Sequence, residues 1–368
     1  MRISARLEVG LFDVVERGRV LASAYPAEPG RPSALHSPSL ADAAEQARGL
    51  QEAGFDGVYA IEAAHDVFFP LLLAAQATDL DVMTDLAVAF PRSPMHLAHQ
   101  AYDLQLLSRG RFTLGLGTQV SQVNERYYST PWGQPVARLR DLILAIRAIW
   151  RCWQEGEPLR HQGPFYRHTF MNPAFNPGPG PYGLPPIMVG ALGPKMTQMT
   201  AEVADGVLLH PFTTERFVHE RTLPAVEAGL KAAGRDWSQF EVVSMVMIAT
   251  GRDDRELAVA EAGVKALIAF YGSTPAYLPL MELEGLEGLH RELLGLARQG
   301  QWQAMAELID ADTLARFAVR GSPAEVAAEV ARRYGPVASR INTYLPYDAG
   351  IDLQADLAAR LKAGAGQA

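Results

Sequence analysis

Residues 82–89 read VMTDLAVA, residues 94–108 read PMHLAHQAYDLQLLS and residues 112–115 read FTLG. The outer two are short apolar runs bounded by turn formers, and the middle one is long and amphipathic, so together they predict a strand, a helix and a second strand. Pro94 stands where the first turn of a helix tolerates proline. Both faces of such strands are apolar, which points to a parallel sheet covered by helices.

The same alternation continues outward in both directions. Strands are predicted at 3–10, 58–62, 186–190, 206–209, 240–250 and 340–345. Helices are predicted at 39–53, 68–78, 136–155, after Gly193-Pro194, and at 215–233, 256–271, 322–334 and 352–362, with Ser39 as an N-cap and Gly54 as a stop. Eight strands in strict alternation with helices predict an α/β fold, a (β/α)8 TIM barrel with insertions, as one domain over residues 1–368. The rival is an open doubly wound sheet. That fold wants a glycine-rich nucleotide turn after its first strand, where Val9-Gly10-Leu11-Phe12 stands instead. Two insertions interrupt the repeat. One spans 156–186 and is rich in proline, which predicts an ordered lid over the mouth; the other spans 272–320 and is helical, a packed cap or a contact with a second copy.

Composition narrows the function. The 368 residues are 48% hydrophobic and 20% charged, and 33 basic against 41 acidic residues leave a net charge of −8. Such a chain has no basic field to draw it to nucleic acid. No apolar run approaches the roughly 18 residues of a membrane helix, and no secretory signal is read at Met1–Arg6, so a cytoplasmic location is expected. Cys152 is the only cysteine, which excludes an internal disulfide and any cysteine-cluster metal site. No metal is expected; His96 and His99 have no carboxylate partner at ligand spacing.

In a barrel of this kind, chemistry sits on the loops that leave the C-terminal ends of the strands. Those loops carry Glu62 and His65, residues 85–92, residues 118–124, residues 190–193, and His210 with Phe212. A histidine titrates near neutral pH, and a neighbouring carboxylate such as Glu62 can set its tautomer and charge, so the two histidines and the carboxylate are candidates for acid–base work. The plainer reading of each is a loop cap. Gly190, Ala191, Leu192 and Gly193 join a strand to a helix whose free N–H groups form an anion seat. The run from Gly115 to Val120 begins like a dinucleotide fingerprint but lacks its third glycine, so it reads as a barrel-mouth turn.

Further motifs carry a resemblance: Gly54-Phe55-Asp56-Gly57-Val58-Tyr59, Glu62 through His65-Asp66, Ala87-Val88-Ala89-Phe90-Pro91-Arg92-Ser93-Pro94, residues 107–117 and Pro186-Ile187-Met188-Val189-Gly190-Ala191. From Leu40 to Leu345 the chain resembles the luciferase-like monooxygenase superfamily, with His65-Asp66 and residues 205–212 most similar to the branch that uses coenzyme F420. The resemblance implies a non-prolyl cis peptide at Asp85-Leu86 against the cofactor ring, a phosphate seat at residues 190–193, and cofactor contacts from Gly117, Thr118 and Asn124. It also implies a catalytic role for His65. The proton-donating glutamate of the sugar-phosphate enzymes has no counterpart, since Gln119, Val120 and Ser121 occupy its place, and glucose 6-phosphate is not expected. Phe68, Phe69, Phe90, Trp132, His210 and Phe212 suggest an apolar substrate pocket. The expected function is hydride transfer between F420 and a small, apolar organic substrate. The alternatives are an FMN-dependent monooxygenase served by a reductase partner, or a flavin-binding barrel without turnover. Family habit makes a homodimer the expected assembly.

Overall fold

The computed structural model describes residues 1–7, 40–63 and 65–365. Eight parallel strands close into a barrel: β1 (Arg2–Arg6), β2 (Gly57–Ala60), β3 (Asp81–Thr84), β4 (Phe112–Gly117), β5 (Ile187–Gly190), β6 (Gly206–Leu209), β7 (Glu241–Thr250) and β8 (Arg340–Tyr344). Each pairs with the next, β7 joins β8, and β8 returns to β1. The ring has no edge to protect. The part of strand one predicted at 8–10 and the proposed Ser39 cap lie outside the described residues.

Helices α1 (Ala43–Glu52), α2 (Phe68–Ala77), α3 (Pro94–Leu107), α4 (Pro135–Glu155), α5 (Pro194–Val203), α6 (Leu223–Ala232) and α7 (Asp254–Gly272) cover the outside of the strands. The Ser93 side chain accepts from the His96 N–H and starts α3 one residue before Pro94. Trp150 and Trp153 of α4 are fully buried, and the Trp150 indole N–H donates to Ala98 O on α3. The helix predicted at 215–233 contains a π turn at Val218–Thr222, just before Pro224, which has no N–H to offer the regular ladder.

The third strand breaks where the sequence predicted one continuous run. Regular pairing stops at Thr84, the Asp85–Leu86 peptide is cis, and a short strand Ala87–Val88 resumes beside β4. Across the gap the Thr84 hydroxyl takes over from the backbone, donating to Gly115 O and accepting from Gly115 N, both at 2.7 Å. A Cβ on Gly115 would collide with the Thr84 carbonyl oxygen. Gly115→Ala is therefore expected to lower stability by about 2 kcal/mol through overpacking, read as a lower urea midpoint at unchanged m-value. A midpoint equal to the parent's would show that β3 yields freely here.

Of the two insertions, it is the helical one and not the proline-rich one that contributes to the mouth. Residues 156–186 form a small hairpin, His161–Gln162 with Arg167–His168, and then an irregular strap along α3 and α4. Asp141 of α4 holds the hairpin through the N–H groups of Phe165 and Tyr166 and through His161 Nε2. The Tyr102 hydroxyl of α3 binds the Gly178 carbonyl and the Gly180 N–H. No residue of this segment lines the cavity at the mouth, so the lid reading is corrected: buried polar anchors on two helices hold the segment to the outer wall. The helical insertion is the one that covers the mouth. Its helices α8 (Leu278–Leu283), α9 (Glu287–Arg298), α10 (Trp302–Glu307) and α11 (Ala311–Phe317) pack beside α7, and the chain then returns through α12 (Pro323–Tyr334), β8 and α13 (Gly350–Ala365). Among the described residues no helix is long and apolar enough to cross a membrane.

Candidate active site

A cavity of about 2060 Å³ opens at the C-terminal ends of the strands. Its floor is the interrupted third strand. Leu86 lies there, packed where Cβ atoms on Gly117 and Gly190 would otherwise project, so these two glycines make room for Leu86 and the three together form an apolar part of the cavity lining. Thr118 and Gln119 line the wall beyond β4, and Gln119 takes a left-handed backbone (φ 55°) that non-glycine residues seldom adopt.

On the neighbouring wall stand Ala191, Leu192 and Gly193, leading into α5. Gly193 is the N-cap, has no side chain to cap the helix, and a Cβ there would meet nothing within 4 Å. The open first turn of a ten-residue helix thus faces space with its positive dipole end, which suits a phosphate. Arg126, Arg221 and Arg298 line the cavity with exposed side chains and extend this positive character outward.

Asp85 and His210 both line the cavity. Asp85 accepts a hydrogen bond from Asn342 Nδ2 at 2.7 Å, yet burial outweighs that bond and pushes its carboxyl up to about 7. His210 follows β6. Its Nδ1 accepts from the Phe212 N–H at 3.0 Å and its Nε2 lies 3.0 Å from the Tyr277 hydroxyl. Burial pushes His210 down to about 4, so it is neutral in ordinary buffers.

Several expected site residues sit elsewhere. His65 is exposed, does not line the cavity, and among the described residues makes no hydrogen bond to Glu62. Glu62 does line the cavity, but its carboxylate is committed to the Val88 N–H (2.6 Å), Arg92 (2.8 Å) and the Tyr128 hydroxyl (3.2 Å). The pairing of Glu62 with His65 is therefore corrected: the carboxylate is engaged by three other donors, and His65 is not among its partners. Asn124 is buried and is not among the residues that line the cavity; its amide donates to the Thr118 and Val120 carbonyls and so shapes the turn beside the wall.

The aromatic pocket is likewise corrected. Phe90 packs edge-on against Trp132 and lies under the Arg138 guanidinium, while Phe212 is fully buried in a stack with Phe317 at 4.3 Å. None of the three lines the cavity, because each finds a flat partner within the protein. The walls are instead completed by Tyr271, Tyr277, Leu280 and Trp302, contributed by α7 and the helical insertion, and by Tyr344 at the end of β8. The only sequence signal for Tyr271 and Tyr277 is a pair of tyrosines flanking Pro275 where α7 ends.

Comparison with known proteins agrees with this architecture. The family profile described as luciferase-like monooxygenase matches residues 17–340. An uncharacterised protein of Mycobacterium tuberculosis is 47% identical over 303 residues, 82% of this chain and 89% of that protein. A second protein of the same organism, named as a coenzyme F420-dependent oxidoreductase, is 30% identical over 284 residues, 72% of this chain and 80% of that one. Among solved structures, the F420-dependent tetrahydromethanopterin reductase of Methanopyrus kandleri shares the fold with a TM-score of 0.74 at 17% identity, over 88% of this chain and 95% of that one.

Proposed function

We propose, for a chain that belongs to the luciferase-like monooxygenase family and is thereby an oxidoreductase, that its redox carrier is coenzyme F420 and that it exchanges a hydride with a small, largely apolar organic molecule. One observation carries this reading: Leu86 and the uncapped first turn of α5 line one cavity, an apolar rest for a ring system together with a seat for its phosphate. The relative whose name is that of a coenzyme F420-dependent oxidoreductase supports the choice of carrier. When bound, such a carrier supplies two-electron chemistry at a carbon of its central ring. The protein's own part is to hold that ring over Leu86, to exclude water beneath the helical cap and to present polar groups to the substrate. Asp85 is the cavity group whose proton moves near neutral pH, a place the resemblance had assigned to His65.

Titration tests the reading. F420 added to the protein is expected to show saturable quenching of its fluorescence, with FMN bound at least tenfold more weakly. Gly193→Asp, which supplies a favourable helix cap and so preserves the fold, sets a negative charge at the seat and is expected to weaken F420 binding about tenfold. Equal or tighter binding of FMN would shift the assignment to the oxygen-activating members of the family.

A further inference from the structure

The tyrosine that the insertion lowers onto His210 has a hydrogen-bonding capacity the protein leaves unspent. The Phe212 N–H donates to Nδ1 of His210, so in the neutral ring the proton resides on Nε2. Nε2 then donates to the Tyr277 oxygen at 3.0 Å. The hydroxyl hydrogen of Tyr277 must accordingly point away from the histidine, and among the described residues no acceptor for it is found. Tyr277 and His210 both line the cavity. Their rings are held from the sides: His210 meets Tyr271 edge-on at 4.9 Å, Phe212 lies 5.4 Å from Tyr277, and Tyr271 meets Tyr277 edge-on at 5.8 Å. A donor so confined has few rotamers to lose when it binds something.

We propose that Tyr277, positioned by His210, is the hydrogen-bond donor that holds the oxygen of the substrate, and that the substrate is a carbonyl compound, or the corresponding alcohol, on an apolar body. The surroundings favour an apolar body: Leu280, Leu283, Leu294 and Trp302 line the cavity together with Tyr277, and among the described residues His210 is the hydrogen-bond partner found for the Tyr277 hydroxyl. Burial also holds the Tyr277 phenol well above its ordinary pKa, so it stays a donor throughout the working range. The inference deepens the proposed function, since the oxygen held here belongs to the molecule that exchanges the hydride. His210 is the positioning residue of the pair: its Nε2–H occupies the phenol's lone pair and turns the phenol hydrogen toward the cavity.

The test needs no redox carrier. Carrier-free protein is titrated with 2-octanone and with 2-methyl-1-octene, an alkene of nearly the same shape without the oxygen, following the fluorescence of Trp302 against a Trp302→Phe control. The parent is expected to prefer the ketone about tenfold, the worth of one hydrogen bond to a neutral donor. Tyr277→Phe is expected to bring the two ligands to within about twofold of each other while alkene binding is unchanged. His210→Phe is expected to give an intermediate preference. Unchanged ketone preference in Tyr277→Phe overturns the proposal, as does failure of the parent to distinguish the two ligands. A lost preference in a variant that still binds the alkene like the parent excludes a folding defect. Because F420 is absent from these titrations, the outcome is separable from the carrier assignment: ketone preference dependent on Tyr277 in a protein that ignores F420 upholds this inference and removes only the carrier.

Discussion

Arg92→Met is expected to cost roughly 3–5 kcal/mol of stability, the usual result of stranding a buried charge by deleting its partner. The geometry explains so large an effect on a loop. The Arg92 and Glu62 side chains are only 14% and 6% exposed, so solvent screens little of their attraction. One guanidinium nitrogen binds Glu62 and the Val88 carbonyl, and the other binds Asp66, both carboxylates at 2.8 Å. Asp66 in turn caps the Phe68 N–H at the start of α2. Burial opposes the Arg92 charge, but the two carboxylates outweigh it and hold the guanidinium above its ordinary pKa. Methionine preserves the packing of the stem and removes all of these bonds together. His65→Ala, a few residues away in the same loop, touches none of them and is expected to change stability by less than about 0.5 kcal/mol. Urea unfolding of both variants checks the contrast. A loss below about 1 kcal/mol for Arg92→Met would mean that water or a shifted side chain replaces the network.

That contrast shows where sequence reading reached and where it stopped. Periodicity located the barrel strands closely; β6, read at 206–209, is observed as Gly206–Leu209, because four apolar residues between Asp205 and His210 leave little freedom. The resemblance, not the period, carried the expectation of a cis bond at Asp85–Leu86, which the backbone has. Proline content marked residues 156–186 as irregular, but it says nothing about what a segment packs against. The anchors Asp141 and Tyr102 that draw it to the outer wall become visible only when α3 and α4 are side by side. The same holds within the site. Glu62 looked free to serve His65 because Arg92 and Tyr128 are far along the chain, and no local pattern pairs His210 with Tyr277, which is 67 residues away. Helices and strands are written in local pattern, whereas the occupancy of a carboxylate or an imidazole is decided by tertiary neighbours.

The second large effect belongs to Asp85. Its carboxyl has a pKa of 3.8 in the unfolded reference and about 7 in the folded protein, because burial penalises the charged form more than the Asn342 bond rewards it. Below the lower value both states hold the proton and the group costs nothing. Between about 4 and 7 the folded protein keeps a proton that the unfolded chain has released, so this group's contribution falls as pH rises. Above 7 the folded protein carries the full cost of a buried anion, at most about 4 kcal/mol for a shift of this size. In Asp85→Asn the amide oxygen accepts the same bond from Asn342 and there is no charge to bury. The variant is therefore expected to match the parent near pH 4 and to exceed it by a few kcal/mol at pH 8, with the difference growing between. Carboxylates held below their ordinary pKa, such as Glu215 beside Arg332, lose stability as acid protonates them, but they are common to both proteins and cancel in the difference. Urea unfolding at pH 5, 6, 7 and 8 measures that difference directly. A gap independent of pH would show that water reaches the carboxyl and that the cavity floor is polar, and a flat ring resting on Leu86 would then lie against a permanent anion.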